Sequence, residues 1–86
     1  MKKVIMYSKP GCSFCNKAKV LLESMGIPYE ERPVGQRYTK EDVVKHCTSV
    51  NSTAMVSSVP QMILWVDGKE TYIGGYTDLA MKRSKL

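Results

Sequence analysis

Two cysteines with C-x-x-C spacing stand where a predicted strand gives way to a helix, and this placement constrains the fold more than any other feature. Val4–Tyr7 is an apolar run of strand-forming residues, and Lys9–Gly11 ends it. Apolar residues then recur at helical spacing across Ser13–Met25, and a glycine follows as a helix stop. Cys12 and Cys15 therefore open the first helix, directly after a buried strand.

The rest of the chain alternates strands and helices. Thr39–Asp42 resembles a capping box at the start of a second helix, and Asp67-Gly68 between two strand-like runs is a strong hairpin signal. The predicted order is β-α-β-α-β-β-α, an α/β fold in which a right-handed parallel unit is followed by two antiparallel strands. After the first helix we expect a strand at Tyr29–Pro33, a helix carrying Val43, Val44, Cys47 and Val50, a loop at Asn51–Ser58, strands at Gln61–Val66 and Glu70–Ile73, a break at Gly74-Gly75 and a short helix at Asp78–Arg83.

Length and charge narrow the class of protein. The 86 residues are enough for one domain, so we expect residues 1–86 to form a single domain. The longest apolar run, Met62–Val66, is far shorter than the roughly 20 residues of a membrane-spanning helix, and a signal peptide would need a longer apolar region. We expect a cytoplasmic protein. The net charge of +5 is scattered, apart from a C-terminal cluster, which favours a solvated surface over nucleic-acid binding.

The expected chemistry of the cysteine pair is thiol–disulfide exchange. Cys12 lies at the start of a helix, where unpaired N–H groups and the helix dipole favour a thiolate and lower its pKa. Lys9 and Lys17 can add to this effect. Cys15 lies three residues on, on the inner side of the helix, which is close enough for a disulfide. One exposed nucleophile and one sheltered resolving thiol are what such exchange requires.

Other interpretations of the cysteines stay open at this point. A lone C-x-x-C can be half of a zinc site, although no second pair is visible, and it can also be a purely structural pair. Cys47 falls on the apolar face of its helix, where an inert core thiol and a site of regulatory oxidation or glutathionylation are the alternatives. We expect the neighbouring His46 to be a surface residue without a ligand or base role.

Several motifs in order give the chain a resemblance to a known family. The matching pieces are Lys9-Pro10-Gly11-Cys12-Ser13-Phe14-Cys15, Lys17-Ala18-Lys19, Ser58-Val59-Pro60-Gln61 and Ile73-Gly74-Gly75-Tyr76-Thr77-Asp78. With them the chain resembles the glutaredoxins over nearly its full length, including small bacterial and phage-type members. The resemblance implies a thioredoxin-like fold with a four-stranded mixed sheet flanked by three helices.

The resemblance also implies a glutathione site. The proline matching Pro60 is cis in this family, and it would turn the backbone of Val59 towards Cys12 to pair with the cysteinyl part of glutathione. Thr77 and Asp78 would bind the γ-glutamyl end, with helix capping as the alternative interpretation. The remaining residues of the implied site are Lys9 at the glycyl carboxylate, Gly75 at a close approach of the backbone, Ser58 where threonine is usual, and Phe14 and Tyr76 beside the ligand.

The implied activity is reduction of protein disulfides and protein–glutathione mixed disulfides by a monomer, with catalytic residues Cys12 and Cys15, glutathione as cosubstrate and no metal. Ribonucleotide reductase is a client by resemblance only. The centre departs from the commoner Cys-Pro-Tyr-Cys, because Ser13 and Phe14 replace proline and tyrosine. Some relatives with serine after the first cysteine hold a [2Fe–2S] cluster between two subunits, an alternative that we keep open without favouring it.

Overall fold

Four strands and three helices make up the structure, a computed structural model that describes all 86 residues. The elements are β1 at Lys2–Ser8, α1 at Ser13–Ser24, β2 at Tyr29–Pro33, α2 at Lys40–Val50, β3 at Gln61–Val66, β4 at Lys69–Gly74 and α3 at Tyr76–Lys82, followed by a 3₁₀ turn at Arg83–Lys85. The strand order is β2-β1-β3-β4, with β1 parallel to β2 and the other pairs antiparallel. The predicted α/β order and mixed sheet are confirmed.

Strand β1 is the centre of the fold. Residues Val4–Tyr7 are at most 3% exposed, because both faces of the strand are covered. Val4 and Met6 point to the face covered by α1 and α3, where they join one core cluster. Ile5 and Tyr7 point to the opposite face, where α2 packs. The C-terminal end of β1 therefore delivers the loop that carries Cys12 to one edge of a two-sided core.

Capping residues define the start of α2 and the end of α1. The predicted capping box of α2 is present: the Asp42 N–H donates to Thr39 Oγ1 at 3.1 Å, and the Thr39 N–H donates to Asp42 Oδ2 at 2.8 Å. Helix α1 ends one residue earlier than predicted, with Gly26 in the left-handed region at φ +68°. None of the helices has the length and apolar character needed to span a membrane.

The last helix begins at Tyr76 and not at Asp78 as predicted. The reason is that the Asp78 carboxylate caps the helix from its first turn, by accepting a hydrogen bond from the Gly75 N–H at 3.0 Å. The predicted strand break also moves, since Gly74 is the last residue of β4. Gly74 has φ +112°, and a Cβ there would lie 2.5 Å from Asp78 Oδ2, so only glycine fits this position.

Candidate active site

Cys12 and Cys15 form a disulfide at the start of α1, with a Cα–Cα distance of 5.2 Å. Cys12 is the N-cap of the helix, and its sulfur accepts a hydrogen bond from the Cys15 N–H at 3.1 Å. Cys15 is 1% exposed, whereas Cys12 is partly exposed. The pair therefore has one accessible sulfur and one sheltered sulfur, and backbone N–H groups and the helix dipole face the accessible one.

The Val59–Pro60 segment faces this pair from the start of β3. Its peptide bond is cis, as the resemblance implied. The Val59 carbonyl oxygen lies 3.7 Å from Cys12 Sγ, although the two residues are 47 apart in sequence. The short segment before Pro60 is thus placed beside the reactive sulfur, where its backbone groups can pair with an extended ligand.

A cleft of about 200 Å³ borders this segment. Its lining brings together eight of the nine residues that the resemblance implied for glutathione: Phe14, Ser58, Val59, Pro60, Gly75, Tyr76, Thr77 and Asp78. The rings of Phe14 and Tyr76 lie 6.0 Å apart on one wall, and the Lys17 ammonium lies 5.1 Å from the centre of the Phe14 ring. Phe14 is 53% exposed, which leaves its ring available to a ligand. We name this the glutamyl-side cleft.

Lys9, the ninth residue, lies on the other side of Ser58 and Val59. It lines a second cavity of about 220 Å³, which shares Ser58 and Val59 with the glutamyl-side cleft. The other residues of this second cavity are Val34, Lys40, Val43, Val56 and Ser57. Sequence reasoning did not find Lys40 as a site residue. The capping box just before it was the only signal, because it placed Lys40 in the first turn of α2.

A polar network beneath the active-site loop was also missed. The buried Ser8 hydroxyl donates to Glu31 Oε2 at 2.6 Å, and Lys19 pairs with the same oxygen at 2.7 Å. The hydrogen bond from Lys19, and then that from Ser8, lower the pKa of the Glu31 carboxyl. Lys19 lies one helical turn after Cys15, so the network ties the cysteine-bearing helix to β2. The i+4 spacing of Cys15 and Lys19 was the available signal.

His46, expected to be a surface residue, is partly buried and has two hydrogen-bond partners. Its side chain is 18% exposed, and its Nε2 lies 3.1 Å from Glu70 Oε1. Its Nδ1 forms a hydrogen bond with the hydroxyl of Tyr7. Tyr7 and Glu70 point from β1 and β4 to the face that α2 covers, so the packing of this helix brings His46 between them.

Cys47 fits the description of an inert core thiol. It is 0% exposed, and burial raises the pKa of its thiol to about 11. The structure contains no group of three or more histidine, cysteine, aspartate or glutamate side chains placed to hold a metal ion. The zinc interpretation of Cys12 and Cys15 therefore gains no further ligands from the fold.

A cysteine pair that caps a helix directly after a central strand, opposite a cis-proline segment, defines the class of thiol–disulfide oxidoreductases with a thioredoxin fold. The family model for glutaredoxin matches residues 4–70. The chain is 32% identical to glutaredoxin 3 of Escherichia coli K12 over 80 residues, which cover 92% of this chain and 83% of that protein. The chain belongs to the glutaredoxin family.

Other similar proteins agree on the fold. The chain is 36% identical over 78 residues to the hybrid peroxiredoxin hyPrx5 of Haemophilus influenzae, and covers 28% of that protein. Glutaredoxin 1 of Francisella tularensis, solved with cacodylate, superimposes with a TM-score of 0.69 at 26% identity, covering 99% of this chain and 95% of that one. A buckwheat glutaredoxin–glutathione complex has the same fold at a TM-score of 0.69 and 19% identity, covering 98% of this chain and 70% of that one.

Proposed function

We propose that this chain reduces protein disulfides and protein–glutathione mixed disulfides with glutathione as the electron donor. The observation that carries the proposal is one cleft that joins Val59, whose carbonyl oxygen lies 3.7 Å from Cys12 Sγ, to the start of α3. Family membership supports thiol–disulfide exchange, and the chemistry of the cleft supports glutathione as the thiol that takes part.

The proposed reaction begins at Cys12. Its thiolate attacks the glutathionyl sulfur of a mixed disulfide, and the client leaves as a thiolate that takes up a proton. A second glutathione thiolate then attacks the glutathionyl sulfur on Cys12, which releases glutathione disulfide and regenerates the Cys12 thiolate. The Cys15 N–H and the N-terminus of α1 stabilise that thiolate at each stage.

Protein disulfides need the second cysteine. Cys12 attacks one sulfur of the client, and Cys15 then attacks Cys12, so that the client leaves as a dithiol. The product is the Cys12–Cys15 disulfide, the state present in the structure. Two glutathione molecules supply the two electrons that return it to the dithiol. Because Cys15 is buried and Cys12 is not, Cys12 is the nucleophile towards large clients.

Each part of glutathione has a matching group in the proposed site. The Ser58–Val59 backbone pairs with the cysteinyl residue, and Lys9 faces the glycyl carboxylate. Gly75 has no side chain, so the ligand can approach the backbone closely in the glutamyl-side cleft. The N–H groups at the start of α3 receive the γ-glutamyl carboxylate. The Asp78 carboxylate pairs with the α-amino group through the oxygen lone pairs that its hydrogen bond to Gly75 leaves free. Phe14 and Tyr76 cover the ligand from one side.

The test is a glutathione reductase-coupled assay on a glutathionylated peptide. Asp78→Asn removes the charge but keeps an oxygen that can cap α3, and we expect it to raise the KM for glutathione about tenfold, the loss of one charge-assisted contact. Asp67→Asn, the same change on the distant β3–β4 turn, is the matched control. Turnover with thioredoxin reductase but none with glutathione would contradict the proposal and favour a thioredoxin-like donor.

We propose glutathione as a cosubstrate and no resident iron–sulfur cluster. Cys12 is the only one of the three cysteines with an exposed side chain, so a cluster would have to take Cys12 from each of two copies. We expect a colourless protein after anaerobic purification. A brown preparation with visible absorbance would favour the cluster-carrying alternative.

The cellular setting is part of the proposal. We propose a monomer in the cytoplasm that binds no nucleic acid and that serves disulfide-bearing enzymes such as ribonucleotide reductase. Turnover of that enzyme, supplied only with this chain, glutathione and glutathione reductase, tests the client.

The similarity to part of a hybrid peroxiredoxin adds a peroxiredoxin disulfide as a second client for the same assay.

A further inference from the structure

The segment that carries Val59 has very few hydrogen bonds to the rest of the fold. Residues 55–60 take part in no backbone–backbone hydrogen bond, and Pro60 has no N–H to donate. The backbone groups of Val59 are therefore open to a ligand, but no sheet ladder fixes their direction. Apart from the contact between Val59 and Cys12, the only hydrogen bond to the segment comes from Gln61, whose Nε2 donates to the Ser58 carbonyl oxygen at 2.8 Å.

Gln61 is buried, and its two hydrogen bonds fix the orientation of its side chain. The residue is 4% exposed, and it opens β3 opposite Tyr7 of β1. A carbonyl oxygen can only accept, so the amide nitrogen of Gln61 faces Ser58, and the amide oxygen accepts from the Tyr72 hydroxyl at 2.6 Å. Burial raises the pKa of Tyr72, which keeps this hydroxyl protonated and able to donate.

Tyr72 lies on β4, the strand that leads to the opposite wall of the glutamyl-side cleft. Its partner on β3 is Ile63, which shares a face of the strand with Gln61. Tyr72 and Gln61 are thus diagonal neighbours, a spacing that a long aromatic side chain can bridge. Gly75 and α3 follow directly after β4. The two hydrogen bonds of Gln61 therefore connect the Ser58–Val59 segment to the strand that ends at the start of α3.

We propose that Gln61 and Tyr72 are positioning residues for thiol–disulfide exchange with glutathione. The inference rests on the proposed function, because it needs a glutathionyl group bound along the Ser58–Val59 segment. Gln61 acts through the Ser58 carbonyl group and makes no contact with the ligand. It holds the adjacent peptide groups of Val59 in the direction that pairs with the cysteinyl residue, which brings the glutathionyl sulfur to Cys12. Because the segment is ordered in advance, binding does not have to supply that order.

The test compares two disulfides that differ in whether they can use the segment. The reduced Cys15→Ser variant reacts with glutathione disulfide or with hydroxyethyl disulfide, which has no peptide groups. The Cys12 thiolate attacks either one, forms a mixed disulfide and releases one thiol, so the step balances without another reductant. Mass spectrometry of the quenched protein gives the two rate constants. Their ratio, divided by the ratio for a short cysteine peptide, is the preference for glutathione.

In the Cys15→Ser background, we expect Gln61→Met to lower the preference for glutathione about tenfold, the usual effect of losing one buried hydrogen bond. Methionine has a similar length but no donor for the Ser58 carbonyl group. The rate with hydroxyethyl disulfide stays as it is, and so does the pH dependence of Cys12 alkylation by iodoacetamide. Both depend on the thiolate at the start of α1, which Gln61 does not contact.

Tyr72→Phe has a smaller expected effect in the same background. We expect a loss of about threefold, because Gln61 keeps its bond to Ser58 but loses the partner that orients its amide oxygen. The double variant falls no further than Gln61→Met alone, since both residues act through one contact. Tyr29→Phe is the matched control. It removes a hydroxyl that donates to Glu23, away from the active site, and keeps the preference.

The outcomes separate the two proposals. If Cys15→Ser itself shows no preference for glutathione, the proposed function fails and the positioning role fails with it. If the preference is present and survives Gln61→Met, glutathione use stands and the positioning role is wrong. Equal losses with both disulfides would reveal a general structural effect and would also overturn it. Losses that multiply in the double variant would contradict a shared contact of Gln61 and Tyr72.

Nuclear magnetic resonance guards against a Gln61→Met variant that folds poorly, because it leaves Gln61 in place. In the reduced Cys15→Ser protein we expect the side-chain amide protons of Gln61 to exchange slowly with solvent, since their bond to Ser58 exists before any ligand binds. Formation of the glutathione adduct then protects the Val59 N–H from exchange. Gln61 amide protons that exchange freely until the adduct forms would overturn the proposal, because the ligand would then be ordering the segment.

Discussion

The three cysteines show how the surroundings of one residue type decide its chemistry. Cys12 caps a helix and is partly exposed, so its thiolate is stabilised and reachable. Cys15 shares the same helix but is 1% exposed, which reserves it for attack on a sulfur already bound to Cys12. Cys47 has no dipole or cation beside its sulfur to offset burial, and the pKa of its thiol rises accordingly.

Alkylation of the reduced protein tests this ranking. At pH 8 we expect iodoacetamide to modify Cys12 first and to leave Cys47 unmodified until urea is added. The raised pKa of Cys47 means that the folded state holds the thiol proton more tightly than the unfolded state does. The free energy that this adds to folding is present below about pH 8.5 and is lost as the pH rises from there towards about 11. Modification of Cys47 in the native protein at the rate of Cys12 would contradict the assignment.

At the scale of elements, the capping box of α2 shapes the second cavity. Thr39 and Asp42 satisfy each other's backbone N–H groups, and this fixes the turn from which Lys40 projects. The helix also buries Val43 and Cys47 and bonds to Tyr7 and Glu70 through His46. The cap acts at the first turn, so its loss should be measurable as a change in stability.

We expect Thr39→Ala to lower the free energy of unfolding by about 1 kcal/mol, the usual loss for an N-cap. Urea denaturation measures it. Thr48→Ala makes the same change inside α2, where alanine is the better helix former, and we expect no loss of stability there. Equal destabilisation by the two substitutions would show that the cap has no special role.

At the scale of the whole molecule, the protonation of carboxylates on β2 and α2 lowers the stability in acid. Arg32 and then Lys3 lower the pKa of Glu30, Lys19 lowers that of Glu31, and hydrogen bonds from Thr39 lower that of Asp42. The folded state therefore binds fewer protons than the unfolded state near these values. Their stabilisation is complete above about pH 4.5 and is lost as the pH falls through the lowered pKa values.

Urea unfolding between pH 7 and pH 3 checks this direction. We expect the midpoint to fall with pH, and Glu31→Gln to flatten part of that fall because Glu31 no longer titrates. Glu41→Gln, at an exposed carboxylate without a hydrogen-bond partner in the structure, is the control and keeps the slope. An unchanged slope in Glu31→Gln would show that the Lys19–Glu31 network does not contribute.

The single domain expected for residues 1–86 is a prediction about cooperativity. Trp65 lies on β3, and the helices pack on both faces of the sheet that contains this strand. Loss of the sheet should therefore also unfold the helices. We expect the fluorescence of Trp65 and the helical circular dichroism to report coincident unfolding transitions. Two separated transitions would contradict a single cooperative unit.

The sequence predicted what local signals encode. The element order, the capping box and the cysteine pair at the start of α1 were readable because turns and caps depend on neighbouring residues, whereas the roles of the Val59 and Thr77 motifs came from the family resemblance. Lys40 at the second cavity, the Ser8–Glu31–Lys19 network and the contacts of His46 were not readable. They depend on the register of β1 against β2 and on how α2 lies across the sheet, which only the packed fold determines.

The central claim is that Cys12 reacts with glutathione and that Cys15 serves only to resolve protein disulfides. The most direct test is the glutathione reductase-coupled assay with wild type and Cys15→Ser, on a glutathionylated peptide and on a protein disulfide. We expect Cys15→Ser to keep activity on the first substrate and to lose it on the second. Loss of both activities, or no dependence on glutathione in the wild type, would contradict the account.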